Sequence, residues 1–325
     1  MSLTETATSP PTDKGRHLRE HGYLVLENVL DKETIVEPVL DELAGVVSTV
    51  ASQWKQDGVI PRTWERERLE GQLLALTREV HGKKGLQPLM YYMDISLPKG
   101  DIHPSTPMYL GEACFRLLTA APLLDVVSEI IGPEIWLSPV GHLRIKPPEK
   151  QAPANNSLMS VTEWHQDNGV VLEEADETET LTVWVPLTRA TAENGCLQLI
   201  PSRRDRDLLQ HCGNLSIPPR YLDLEAAVPV PMEIGSVLFM HPRTPHSSLP
   251  NLTDGEVRIS FDLRYQPSEE PTGRPHFPAF CLRHPDGRST SWAEWSQGWL
   301  DARSRLADKE LGPFDRWKTG DPGCA

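Results

Sequence analysis

The sequence predicts a mainly β domain, an antiparallel sandwich or jelly roll with flanking helices, and three observations carry that prediction. Short apolar or alternating runs recur over 136–146, LTVWVPL (181–187), GCLQLIP (195–201), GSVLFMH (235–241) and RISFDLRY (258–265). Gly, Pro, Asn and Asp clusters separate these runs, the usual punctuation of antiparallel strands. The residues up to about 135 instead repeat their apolar positions with a helical period.

In chain order, residues 1–20 read as a short disordered lead and 21–325 as a single domain. The stretch GYLVLENV (22–29) alternates like a strand. Asp31 opens a helix with Ile35, Val39, Leu43, Val46, Val50 and Trp54 on one face, and Leu69, Leu73, Leu76 and Val80 mark a second. A third apolar helix runs over 117–131 and stops at Gly132-Pro133. The helical part ends near 135, the β core occupies about 136–265, and a loop and helix fill 266–325. Segments 147–160 and 266–279 read as loops, and Glu193-Asn194-Gly195 as a hairpin turn. Ser291 and Glu294 form a capping box, followed by Trp292, Trp295, Trp299, Ala302 and Leu306 on one face, the pattern of a helix packed onto the core.

Composition excludes several classes. The 325 residues carry a formal charge of −14, which disfavours nucleic acid and anionic lipid as partners. No apolar run reaches membrane-spanning length, and the first twenty residues lack the apolar core of a secretory signal. The five cysteines, Cys114, Cys196, Cys212, Cys281 and Cys324, form no CxxC pair, so neither a zinc knuckle nor a disulfide framework is expected. A cytoplasmic protein with a small-molecule partner fits this balance.

Chemistry concentrates in TEWHQDNGV (162–170). On an extended segment His165 and Asp167, two residues apart, present an imidazole and a carboxylate to one side. A third ligand would complete a 2-His-1-carboxylate facial triad, the donor set of non-heme Fe(II) sites. HPRTPHSSLPN (241–251) offers His241 and His246. In RISFDLRY, Arg258, Ser260, Asp262 and Arg264 share one face, either a solvated row on an edge strand or charges held inside a barrel against an anionic ligand. His142 and Arg144 share a strand face ahead of the HxD pair. Met90, Tyr91, Tyr92 and Met93 either line an apolar cavity or pack as core.

Taken together, HQDNG, LTVWVPL, ENGCLQLIPS, HxxxxHSSLPN and RISFDLRY resemble the phytanoyl-CoA dioxygenase (PhyH-type) family, and HGYLVLENVL is similar to that family's N-terminal strand. The resemblance covers about residues 20–305. It implies a double-stranded β-helix (jelly-roll, cupin-like) core and an Fe(II)/2-oxoglutarate-dependent dioxygenase that uses O2 to hydroxylate a small molecule, releasing succinate and CO2. Carried over residue by residue, it implies His165, Asp167 and His246 as metal ligands. It likewise implies Arg258 as the anchor of the 2-oxoglutarate carboxylate, with Ser248, Trp184 and Gln166 as further co-substrate contacts. The His-to-Arg interval is one residue longer than the family's, within Asp254-Gly255-Glu256, which leaves Arg264 as a rival anchor. The presence of Asp167 favours hydroxylation over halogenation, which needs that coordination position for a halide. A metal-binding barrel without turnover and a cupin-like enzyme without 2-oxoglutarate are the other classes weighed. The acidic surface favours an amino-acid derivative or secondary-metabolite intermediate over an acyl-CoA.

Overall fold

The structure, a computed structural model, describes residues 12–80, 83, 89–151, 161–202, 207–213, 215–268, 270–317 and 320–324. Helix α1 (Asp13–His21) corrects the expected disordered lead over its last residues. Thr12 caps it by accepting from Gly15 N–H, Asp13 sits in its first turn, and Gly22 ends it in the left-handed region. Strand β1 (Tyr23–Leu26) follows. Asp31 then accepts from Thr34 N–H to start a π turn that leads into α2 (Glu37–Gln56), and α3 (Leu69–Val80) matches its predicted span. The single helix expected over 117–131 is two, α4 (Glu112–Leu118) and α5 (Ala121–Ile131). Pro122 is the reason: it lacks an N–H and disfavours helical backbone before it, so it sits in a first turn.

The β region holds β2 (Ile135–Leu137), β3 (His142–Lys146), β4 (Leu181–Pro186), β5 (Leu197–Leu199), β6 (Val228–Val230), β7 (Val237–Met240), β8 (His246–Ser248), β9 (Arg258–Gln266) and β10 (Phe280–Arg283). What reads as one strand over 136–146 is thus two. The segment HSS forms β8, and the loop expected over 266–279 leads into β10. The strands form a seven-stranded sheet, ordered β1-β7-β4-β9-β2-β10 with β3 also beside β9, and a three-stranded sheet, β6-β5-β8. Every pairing is antiparallel. Asn194-Gly195 turns the chain as expected, but it links β4 of the large sheet to β5 of the small one instead of closing a hairpin.

Alternation gives the large sheet two different faces. Leu181, Val183 and Val185 of β4 and Ile259, Phe261, Leu263 and Tyr265 of β9 join one core with α2, α3, α4 and α5. Full burial of each such aliphatic or Phe side chain contributes roughly 1.5–3 kcal/mol. On the opposite face Trp184, Leu238 and Met240 form a second cluster with Leu197, Leu199 and Val230 of the small sheet. Met90 and Met93 are fully buried in the first core, with Tyr91 and Tyr92 packed on it, so this group is core and not a cavity lining. Helix α6 (Trp292–Leu306) carries the predicted capping box, and its Trp295, Trp299, Ala302 and Leu306 are buried. Trp292, at 40 % exposure, departs from that stripe and donates to Leu110 O.

The cysteine expectation is half right. Cys114 and Cys196 are buried small apolar residues, but Cys212 and Cys324 form a disulfide with a Cα–Cα distance of 5.7 Å. No short spacing announces a bond between residues 112 apart. It also removes one ground for the cytoplasmic expectation, since disulfides persist mainly in oxidising compartments. No helix among the described residues is long and apolar enough to cross a membrane. Cys324→Ser is expected to lower stability by about 2–4 kcal/mol under non-reducing conditions. Calorimetry should then find the variant insensitive to added reductant; a parent equally insensitive, with no 212–324 cross-link in its peptide map, would refute the bond.

Candidate active site

His165, Asp167 and His246 come together, each offering a donor atom within 4.8 Å of the others. The backbone causes the meeting: His165 and His246 form an isolated antiparallel bridge, each N–H donating to the other's carbonyl at 3.0 Å. The segment is not a regular strand. Gln166 is extended and Asp167 opens a 3₁₀ turn (Asp167–Val170), which brings the carboxylate round to the imidazoles. His165 Nδ1 donates to Glu163 O at 2.8 Å and His246 Nδ1 to Thr244 O at 3.0 Å, leaving both Nε2 atoms as acceptors. Those Nε2 atoms lie 3.7 and 4.0 Å from Asp167 Oδ1.

The protonation states suit a cation. Burial, reinforced by neighbouring His246, pulls His165 down to about 3, so its imidazole is neutral throughout the physiological range. Burial pushes Asp167 upward, but the Arg264 guanidinium and the two imidazoles outweigh it and hold the carboxyl well below the usual range. Arg264 Nη2 and Thr182 Oγ1 both donate to Asp167, one to each oxygen. A neutral His165 imidazole beside an ionised carboxylate is what a divalent metal requires, and the donor set fits Fe(II).

The charged row of β9 is buried, which answers whether it is a solvated edge. Arg264 pairs with Asp167 and, at 2.9 Å, with Asp262; Arg144 reaches Asp262 at 3.4 Å. Arg258 is different. Its exposure is 2 %, its Nε has no partner, and among the described residues its side chain donates only to Ser260 Oγ. Its guanidinium lies over the Trp184 ring at 5.4 Å. Lys146 is its cross-strand neighbour and donates to Ser248 Oγ at 2.6 Å and Leu249 O at 2.7 Å. Arg258 thus lies over Trp184, and Lys146 connects its strand position to Ser248. Burial, with Arg144 adding to it, brings Arg258 down to about 10.

Gln166 is elsewhere. Its amide donates to Asp207 O and Arg243 O, and its carbonyl accepts from Leu209 N–H at 2.7 Å. Its side chain thus ties the 207–209 backbone to the ligand segment, in place of the co-substrate contact expected for it. His241 accepts from Arg243 N–H and is not in the cluster. His142 Nδ1 faces buried Asp94 at 3.0 Å. Sequence reasoning missed Lys146, Thr182 and His211. For the first two a signal exists, since each shares a strand face with a residue already singled out: Lys146 with Arg144, Thr182 with Trp184.

Lys146 carries a pH signature. Burial, then Arg258 and Arg144, lowers it from 10.5 to about 6. Between those values the unfolded chain takes up a proton that the folded chain refuses, so the penalty grows as pH falls. Relative to the parent, Lys146→Met should gain stability progressively from pH 10 down to pH 7. Thermal melts with a pH-independent difference would contradict this.

Comparison with known proteins bears on the fold and the family. Methylphosphonate hydroxylase of Gimesia maris (strain ATCC 29201 / DSM 8797 / 534-30) is 40 % identical over 81 residues, 25 % of this chain and 31 % of that protein, so the match spans about a third of the relative. The apo structure of the non-heme monooxygenase ThoJ matches with a TM-score of 0.58 and 19 % identity, over 90 % of this chain and 96 % of ThoJ. The ThoJ–Ni complex matches with 0.53 and 20 %, over 90 % and 95 %. Those likenesses concern the fold. The model of the phytanoyl-CoA dioxygenase (PhyH) family matches residues 100–260, which span both histidines, Asp167 and Arg258, and on that match the chain belongs to the PhyH family.

Proposed function

We propose that the chain is an Fe(II)- and 2-oxoglutarate-dependent oxygenase on a double-stranded β-helix core. In this reading it hydroxylates an unactivated C–H bond of a small organic molecule, with release of succinate and CO2. The observation that carries the reading is Arg258, a buried guanidinium without a carboxylate among the described residues, beside a completed His-Asp-His cluster. A buried charge of that kind calls for an anionic partner, and a planar guanidinium suits a carboxylate. Arg264, the rival anchor, is already neutralised by Asp167 and Asp262.

His165, Asp167 and His246 would hold Fe(II), and Fe(II) bound there would supply activation of O2 coupled to oxidative decarboxylation of the 2-oxo acid. Arg258 pairs with the distal carboxylate of 2-oxoglutarate, Ser248 and Lys146 flank it, and Trp184 forms an apolar wall. Thr182 and Arg264 keep Asp167 ionised and oriented. Arg144 and His142 continue the Lys146 face along β3 and are partly exposed, so they are the polar groups open to a substrate. Methylphosphonate, on which the relative acts by its name, belongs in the first substrate panel together with amino-acid derivatives. A barrel without turnover, or a metalloenzyme indifferent to 2-oxo acids, has no use for an unpaired buried arginine.

The test is anaerobic calorimetry of 2-oxoglutarate binding to Fe(II)-loaded protein, followed by O2 exposure with the panel. Losing a charge-assisted pair of about 1.5–3 kcal/mol should weaken binding by roughly tenfold or more in Arg258→Ala. A substrate should stimulate succinate release. Equal 2-oxoglutarate affinity in parent and variant would sink the assigned anchor.

A further inference from the structure

The turn that carries Asp167 is held from behind by residues far away in sequence. Four successive carbonyls of the turn, those of Asn168, Gly169, Val170 and Val171, each accept from a side chain. Arg316 donates to Asn168 O and Val171 O at 2.9 Å, Trp317 Nε1 to Gly169 O, and Arg274 Nη2 to Val170 O. Arg316 is itself fixed by Asp176 at 2.6 Å.

At the centre of this support lies His211, which is fully buried. Its Nδ1 donates to Leu209 O at 2.8 Å, which fixes the tautomer and leaves Nε2 as an acceptor. That Nε2 accepts the backbone N–H of Gln166, the residue between the two ligands, at 2.9 Å. The ring closes against Gly169, where a Cβ would stand 2.2 Å from His211 Cε1. Its other face stacks on Trp317, with centroids 5.2 Å apart at 20°. The next residue, Cys212, is bonded to Cys324, so the C-terminal segment is latched to the same loop.

We infer that His211, backed by the stacked Trp317, is a positioning residue that sets the spacing of His165 and Asp167 through the Gln166 N–H. This rests on the reading of the cluster as a metal centre. Its geometry has two independent supports, the acceptor at Gln166 N–H and the ring wedged between Gly169 and Trp317. Among the described residues neither group hydrogen-bonds a ligand side chain, and the geometric link to the ligands runs through the backbone of the turn.

The test uses Co(II) as the probe, titrated anaerobically into the full chain, with dissociation constant and visible absorption spectrum as readouts. His211→Leu keeps much of the volume and removes the acceptor; His211→Gln restores an acceptor near Nε2. Leu should weaken Co(II) by roughly tenfold or more, the range found when the partners that orient a metal ligand are lost, and change the spectrum. Gln should stay within about threefold of the parent. Should His211→Leu not fold by circular dichroism, Trp317→Phe decides: it keeps a stacking ring, drops the donor to Gly169 O, and is expected to weaken Co(II) severalfold. A folded Leu variant, or failing that a Phe variant, with the parent's affinity and spectrum overturns the inference while leaving the metal centre standing. A parent that binds no Co(II) overturns both.

Discussion

Burying a guanidinium is costly unless something neutralises it, and the pairing of Arg264 with Asp167 and Asp262 is the contact on which the rest of the site depends. Breaking a buried pair of this kind by removing one partner costs about 3–5 kcal/mol, because the remaining charge stays buried. Here removal of Arg264 would leave Asp167 with Thr182 Oγ1 as its donor and Asp262 with Arg144 as its counter-charge. The same pairing orients Asp167 toward the histidines and keeps it ionised. It also engages Asp262, together with Arg144, and Arg258, on the same face of the same strand, has no carboxylate partner among the described residues.

That strand can hold charges because of what lies behind it. Strand β9 is buried along all nine residues, with Ile259, Phe261, Leu263 and Tyr265 anchored in the helical core and the Tyr265 hydroxyl donating to Leu118 O. The apolar face fixes the register with β3 and β4, and the register sets Lys146 opposite Arg258 and Thr182 opposite Arg264. A slip of one residue would exchange the two faces and put the arginines into the helical core. Helix packing and site geometry are therefore one constraint seen from two sides of a sheet.

Much of this was legible in the sequence because it depends on period. Alternation in RISFDLRY separates the two faces, and the helical stripes of α2 and α3 are regular. The i, i+2 spacing of His165 and Asp167 pointed to two side chains that do converge, though through a turn and not a strand. Misreadings occurred where long-range contacts override local pattern. HSS becomes β8 because it pairs with β5 and bridges to His165. Gln166 turns away from the cluster because backbone groups at 207, 209 and 243 satisfy its carboxamide. Cys212 and Cys324 are isolated in sequence and adjacent only in the fold. Pro122 divides an apolar run whose period alone is continuous, so the break between α4 and α5 lies in one residue and not in the pattern.

The support behind the Asp167 turn has a consequence for the order of events during synthesis. Arg316 and Trp317 lie 148 residues beyond the carbonyls of Asn168 and Gly169 that they hold. A chain emerging from a ribosome exposes both histidines and Asp167 well before those two side chains exist. Since domains fold as units once enough chain is available, the Asn168 and Gly169 carbonyls lack these two donors through translation of the whole barrel. The nascent protein thus passes through an interval in which His165, Asp167 and His246 are present before the segment that braces the turn behind them.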